Sequence, residues 1–187
     1  LKTQLNEIDP TILNFYPSIG DGGTGITLDL QGYHPLSHSF GIRTNLYYLF
    51  NFQETNGVLT RNGRSEFSVP DQFAARVGAF YTTMKGFNFY LGGRVEGVPS
   101  TDAIGSSAGY RRPGYVVSTE PGIGYLKNNY SIFVSVPFSL YRNRIQSYED
   151  KEFTQSTGEY KHGDAAFADY LISIGFSYRF GAKKNTE

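Results

Sequence analysis

The segment YLISIGFSYRF, residues 170–180, alternates two kinds of side chain. Every second residue from Tyr170 is aliphatic or aromatic, whereas those between are mostly small or polar and end with Arg179. Successive side chains of a strand point to opposite faces, so this alternation predicts a strand with one apolar and one polar face. Aromatic residues stand at both ends of the apolar face. The fold depends on whether that face is turned toward a core or away from it.

The same period of two recurs along most of the chain. It is strong in five further segments and weaker in two near the N-terminus, and no segment has the 3.6-residue period of an amphipathic helix. We therefore predict eight strands and no helix. The strands are expected at 11–19, 25–34, 40–53, 73–83, 87–99, 114–126, 130–141 and 170–180.

Composition limits the class of protein. The 187 residues include 22 glycines, 15 tyrosines and 15 phenylalanines, yet only 39% are hydrophobic and the mean hydropathy is −0.36. Seventeen basic residues balance seventeen acidic ones, which argues against a nucleic-acid partner. There is no cysteine and no long apolar run, so we expect neither disulfides nor a transmembrane helix. No signal peptide is visible, which predicts a mature form or a fragment.

The connections between the predicted strands alternate in length. Those at 54–72, 100–113 and 145–164 are long, and those at 35–39, 84–86 and 127–129 are short. Outer-membrane barrels have short periplasmic turns, long external loops and strands of about 10 residues. The pattern predicts a single domain over residues 1–187, an antiparallel up-and-down transmembrane β-barrel in a bacterial outer membrane. Residues 1–10 are then a periplasmic segment and residues 181–187 a C-terminal tail.

In such a barrel the apolar faces contact outer-membrane lipid and lipopolysaccharide, and the aromatic residues form girdles at the two interfaces. The alternative is a soluble antiparallel barrel with its apolar faces inward. The other face argues against that alternative, since its glycines, serines and opposite charges fit a crowded interior better than an open surface. We assign eight charged residues to the lumen: Asp29, Arg43, Arg76, Arg94, Glu96, Glu120, Asp169 and Arg179.

Two interpretations of these lumen charges remain open. An eight-stranded barrel is just wide enough for its side chains to fill it, and the charges there form ion pairs that satisfy one another. If further strands widen the barrel, the same groups line a pore. Four of the residues lie on three neighbouring predicted strands at similar distances from the short turns, so we expect one contiguous network at mid-height. They are Arg76, Arg94, Glu96 and Glu120.

The stretch SSAGYRRPGY, residues 106–115, places two arginines beside tyrosines in a long connection. One interpretation is structural: glycine and proline shape a loop, and the arginines fold over the mouth of the barrel. The other is an external site for an anionic ligand or a lipid headgroup, because guanidinium groups bind carboxylate and phosphate in a forked geometry. Its candidate contacts are Tyr110, Arg111 and Arg112.

The sequence gives little support for an enzyme. His162 is followed by Asp164 and lies near Ser156, but a catalytic base needs an oriented partner and a nucleophile within hydrogen-bond reach. A single histidine in a polar loop is more often solvated. The chain has no nucleotide, zinc or calcium motif. We therefore predict no catalytic residues, no metal and no cofactor.

Three segments together resemble one family of proteins. They are RVEGVPSTDAIGSSAGYRRPGYVVSTEPGIGY (94–125), YRNRIQS (141–147) and HGDAAFADYLISIGFSYRF (162–180). They are similar to the outer-membrane barrels grouped with the meta-pathway phenol-degradation proteins of Bacteroidota-like bacteria, with a good likeness over about 88–180 and a weaker one over 41–87. The resemblance implies a transporter-type barrel for small hydrophobic or aromatic molecules, and it carries no catalytic motif.

Members of that family are usually longer at the N-terminus, which leaves open a barrel of about eight strands or a larger one with additional strands. Two functions are compatible with these observations. One is a transporter or channel for a small molecule that the sequence does not specify. The other is a non-conducting structural or accessory barrel in an assembly with other outer-membrane proteins. The width of the lumen distinguishes them.

Overall fold

The computed structural model describes residues 22–60, 63, 65–163 and 168–180. Within them the chain is mostly antiparallel β-structure. The strands are β1 (Gly25–Pro35), β2 (Phe40–Asn51), β3 (Thr55–Leu59), β4 (Glu66–Ser68), β5 (Gln72–Thr82), β6 (Phe87–Val98), β7 (Gly114–Lys127), β8 (Tyr130–Ser135), β9 (Phe138–Arg144) and β10 (Ser173–Tyr178), and α1 is Tyr148–Thr157. The predicted strand at 11–19, the segment 1–10 and the tail 181–187 lie outside the described residues.

Eight of the strands form one curled sheet with the shape of a half-barrel. Its order is β1-β2-β5-β6-β7-β8-β10, and β9 continues β8 along the same edge of β7. The prediction of an antiparallel β-fold is confirmed in the described residues, because all the paired strands of this sheet run antiparallel. In the described part of the chain, β1 and β10 each pair on one side only, so the sheet is not closed.

The short turns all lie at one end of this sheet, and the long connections all lie at the other. Residues 36–39, 83–86 and 128–129 link strands at what we call the short-turn end. The connections from β2 to β5, from β6 to β7 and from β9 to β10 lie at the opposite, long-loop end. This asymmetry follows the alternation of lengths that the sequence predicts.

The predicted strand 130–141 is present but interrupted at Val136 and Pro137. Ser135 pairs with Gly122 of β7 before the interruption, and Phe138 pairs with Thr119 after it, so the register is unchanged across the gap. Proline has no N–H to donate to a neighbouring strand, which explains the interruption. β8 and β9 are therefore two halves of one strand, which runs to Arg144 rather than to 141.

The long-loop end contains two elements that were not predicted. β3 and β4 form a small separate hairpin, and α1 occupies part of a segment expected to be irregular. The prediction of no helix is wrong because α1 depends on its ends rather than on apolar periodicity. Ser147 and Asp150 form a reciprocal capping box, and Gly158 ends the helix in the left-handed conformation. None of the helices in the described residues is long and apolar enough to cross a membrane.

The two faces of the sheet differ in character, because polar groups are buried on one face and apolar side chains are exposed on the other. Among the described residues, the only buried large hydrophobic side chains are Val69, Phe80 and Val116. The buried polar groups include Arg94 and Glu120, which lie on the inner, concave face. The outer face carries exposed aliphatic side chains in strand after strand, including Leu30, Leu46, Val77, Leu91, Ile123, Ile132, Ile174 and Phe176.

Candidate functional site

A cavity of about 1050 Å³ lies along the inner face of the half-barrel. The pairing register explains its composition, because alternate residues of neighbouring strands share that face. Arg76 of β5 stands directly opposite Arg94 of β6, and Glu120 of β7 stands opposite Gly92. Six of the eight predicted lumen charges line this cavity: Asp29, Arg43, Arg76, Arg94, Glu96 and Glu120.

Two ion pairs lie at the centre of the cavity wall. Arg94 bonds to Glu96 on the same strand, and Arg76 Nε lies 3.9 Å from Glu120 Oε2 on the next strand but one. Ser135 donates its hydroxyl to Glu120 Oε1 at 3.0 Å. The four residues expected to form a contiguous network therefore lie side by side as two ion pairs. One pair joins β5 to β7, and the other lies on β6 between them.

Three atoms of these pairs are buried without a hydrogen-bond partner. They are Nε of Arg76, Nε of Arg94 and Oε2 of Glu120. The 3.9 Å separation between Arg76 and Glu120 is longer than a hydrogen bond, so this pair gains Coulomb attraction only. Each buried polar group without a hydrogen bond costs about 1–3 kcal/mol of stability. These three atoms are therefore an unfavourable part of the cavity wall.

Asp29 and Arg43 line the same cavity without joining an ion pair within the described residues. Asp29 accepts hydrogen bonds from Asn45 at 2.5 Å and from Gln31 at 3.4 Å. Both charged side chains are exposed and open to the cavity. The cavity wall therefore combines two ion pairs with two charged side chains that join no ion pair within the described residues.

The other two predicted lumen residues lie away from the cavity. Asp169 bonds to Arg142 toward the long-loop end. Arg179 is exposed near the short-turn end, where its backbone N–H donates to the carbonyl of Asn129. The structure thus brings six of the eight charges together and separates these two.

Aromatic rings lie next to the charges, toward the short-turn end of the cavity. Tyr33 and Phe80 stack with ring centroids 4.7 Å apart. The ring of Tyr90 covers Gly78 and Gly92, where a Cβ atom would overlap it. Sequence reasoning did not assign these aromatics to the site. Glycines at inner-face positions beside a large aromatic residue could have indicated these rings. A ring that lies flat on the sheet needs neighbouring residues without side chains.

A buried polar cluster holds the long connections together at the long-loop end. Asp71 is fully buried and accepts hydrogen bonds from the backbone N–H groups of Asn51 and Ala103, each at 2.8 Å. Its own N–H donates to Asp102 at 2.9 Å. Arg111 makes a forked pair with Asp102 at 2.8 and 2.5 Å. We call Asp71, Asp102 and Arg111 the cap cluster, and the first two were not identified from the sequence.

The three candidate external contacts differ in their surroundings. The side chain of Arg111 is enclosed by Asp102 and by Ser68, to which it donates at 2.8 Å. No surface of its guanidinium remains for an external ligand. Arg112 is exposed and donates to the hydroxyl of Tyr110 at 3.0 Å. Only Tyr110 and Arg112 therefore remain as external contacts.

Asp164 lies outside the described residues, and within them no catalytic partner is placed beside His162. The ring of His162 contacts the carbonyl of Gly163 and lies edge-on to Tyr160. Ser156 donates its hydroxyl to the carbonyl of Phe153 instead of to the histidine. No group of three or more potential metal ligands occurs in the parts of the chain that the structure describes.

No protein-family model, curated protein or solved structure matches this chain. We therefore infer function from the cavity and from the two faces of the sheet.

The adjacent arginines of the loop provide a test of the cap cluster. Arg111→Gln leaves Asp102 buried without its partner, so the free energy of unfolding should fall by about 3–5 kcal/mol. Arg112→Gln changes an exposed side chain and should stay within about 0.5 kcal/mol of the wild type. Urea unfolding of the two variants under identical conditions measures both values. Equal stability of the two variants would contradict the role given to Arg111.

Proposed function

We propose that this chain is an outer-membrane β-barrel protein that passes small molecules through its charged inner cavity. One observation carries the proposal: ionic side chains are buried on the concave face while aliphatic ones are exposed on the convex face. Water would penalise the exposed apolar face, and a bilayer would accept it. Bacterial outer membrane, with its lipid and lipopolysaccharide, is the environment that we propose for the convex face.

The spacing of aromatic residues on the outer face supports this environment. Tyr115 and Tyr125 are ten residues apart on β7. At about 3.3 Å per residue and a strand tilt of about 40°, they bracket a band about 25 Å high, which matches the apolar band of outer-membrane barrels. Between the two aromatic rows the outer face of the eight sheet strands carries no charged residue. The rows comprise Phe40, Tyr81, Phe87, Phe89, Tyr125, Tyr130 and Tyr178 at the short-turn end, and Tyr48, Phe50, Phe73, Tyr115 and Tyr141 at the long-loop end.

The curvature of the sheet favours transport over a filled barrel. Eight strands that close into a barrel leave room only for side chains. Here seven strands, with β8 and β9 counted as one, make a half-barrel that is open between β1 and β10 in the described residues, and its inner face bounds about 1050 Å³. A barrel completed at this curvature is wider than an eight-stranded one. The resemblance to the phenol-degradation barrels suggests small hydrophobic or aromatic molecules as cargo.

A structural or accessory barrel is the second candidate, and the cap cluster favours it. Asp71 and Arg111 tie two long connections into an ordered cap at one end of the sheet. Such a fixed surface suits contact with other outer-membrane proteins better than it suits a moving gate. This candidate requires no flow of solute through the cavity.

The lipid-facing assignment makes a prediction that separates membrane from water. Leu91 lies midway along the outer face and is 62% exposed. Leu91→Arg should lower the free energy of unfolding in lipid vesicles by about 2–4 kcal/mol, because it places a charge near the middle of the bilayer. Met84→Arg, in an exposed turn at the short-turn end, is the control and should cost about 0–1 kcal/mol. Urea titration of vesicle-inserted protein measures both. If Leu91→Arg matched the control, the outer face would not contact lipid.

The orientation can be tested with single cysteines, because the chain contains none. Glu159 is exposed in the connection from β9 to β10, and Met84 lies in a turn at the opposite end. A membrane-impermeant maleimide should label Glu159→Cys on intact cells and Met84→Cys only after the outer membrane is permeabilised. The reverse pattern would invert the topology, and protection of neither site would argue against membrane insertion.

Transport and scaffold differ in the effect of Glu120→Gln. If the barrel conducts, removal of one of three cavity carboxylates should shift the reversal potential in a salt gradient toward anion selectivity. Glu159→Gln, outside the cavity, should leave it unchanged. Bilayer recordings and solute efflux from vesicles measure these effects. A wild type that is silent in both assays, with a melting temperature that falls sharply in Glu120→Gln, would support the scaffold instead.

A further inference from the structure

The pair formed by Arg76 and Glu120 is incomplete. Their facing atoms are 3.9 Å apart, and each lacks a hydrogen bond. Ser135 fixes the other oxygen of Glu120, whose side chain is only 5% exposed. Arg76 is 38% exposed, so it is the member of the pair that can turn toward the cavity. When it does, Glu120 Oε2 becomes an acceptor for a group inside the cavity.

The charges around this pair cancel. Three arginines and three carboxylates line the cavity, so the sum of their formal charges is zero. An ionic solute therefore gains no net attraction from the lining as a whole. A hydroxyl group gains more, since it can accept from a guanidinium and donate to a carboxylate at the same time. Hydrogen bonds to ionised partners are about twice as strong as bonds between neutral groups.

The cavity also offers apolar ring surfaces beside its charges. Tyr33, Phe80, Tyr90 and Phe133 all line it. The faces of aromatic rings carry partial negative charge, which favours contact with polarised C–H groups. A solute that presents hydroxyl groups on its edge and C–H groups on its face matches both parts of the lining. A volume of about 1050 Å³ is ample for one or two sugar rings.

We propose that the inner cavity contains a binding site for a neutral, polyhydroxylated solute of sugar type. Arg76 and Glu120 bind one of its hydroxyl groups, and Tyr90 and the stacked pair of Tyr33 and Phe80 contact its C–H face. Access to the site rests on the proposed transport function, whereas binding itself can be measured without transport. An apolar solute, which is the cargo that the resemblance suggests, would leave the polar atoms of Arg76 and Glu120 unpartnered. At this site we therefore favour a polyhydroxylated solute over that cargo.

Saturation-transfer NMR on the full chain in a sugar-free amine-oxide detergent tests the site. Glucose and maltose are the sugar probes, and phenol and sodium benzoate are the aromatic comparisons. We expect saturable maltose binding with the strongest transfer to ring C–H protons. Arg76→Lys, which removes Nε at its present position, should weaken binding about tenfold, as should Glu120→Gln. Arg179→Lys is the matched control because Arg179 lies outside the cavity, and it should bind maltose like the wild type.

Circular dichroism first establishes that each variant is folded, and Arg76→Lys keeps the test decisive if Glu120→Gln does not fold. The proposal would be overturned if the folded wild type bound neither sugar, or bound only phenol or benzoate. Water would then be the partner of the facing atoms of Arg76 and Glu120. Equal weakening by Arg76→Lys and Arg179→Lys would also overturn it. Solute flux without sugar binding would refute the site and keep the transport function. Sugar binding without flux would refute transport and keep the site.

Discussion

The register of the antiparallel sheet is the constraint on which the other features depend. A slip of one residue would turn every side chain to the opposite face. Glu120 would then point outward and Leu91 would enter the cavity. The buried ion pairs also enforce the register, because a guanidinium without its carboxylate is costly inside a cavity. Hydrogen-bonded backbone and paired charges therefore select the same arrangement.

Three parts of the molecule contribute to its stability in different ways. The outer face contributes to stability through contact with the proposed lipid, since few of its side chains are buried within the described chain. The inner face contributes through specific pairs such as Arg94 with Glu96, and through rings that cover glycines. The cap cluster adds a third part, where Asp71 satisfies backbone donors from β2 and from the loop before β7.

Period two is a local signal, and it predicted the antiparallel strands of the curled sheet in the described residues. That the apolar face meets lipid stays a proposal. Sequence reasoning failed at α1, where capping by Ser147 and Asp150 replaces apolar periodicity. It also failed at the cap cluster, since Arg111 meets Ser68 across 43 positions of sequence. Strand parity predicted that the eight charges share one face, and six of them line one cavity, but parity alone gives no position along the strand. Asp169 consequently lies with Arg142, away from the cavity.

Pro137 has a consequence for where the wall of the sheet yields. Leu171 donates its N–H to the carbonyl of Pro137, but proline has no N–H to return to Leu171. The pairing of the strand 130–144 is thus short of one hydrogen bond between the end of β10 and the bridge of Phe138 with Tyr170. Local opening begins where hydrogen bonding is weakest. The amide hydrogens beside Pro137 should therefore exchange before those of the continuous ladder between β6 and β7. Val136 donates in the same one-way manner to the carbonyl of Pro121 in β7, so both edges of the strand 130–144 should open first beside its interruption.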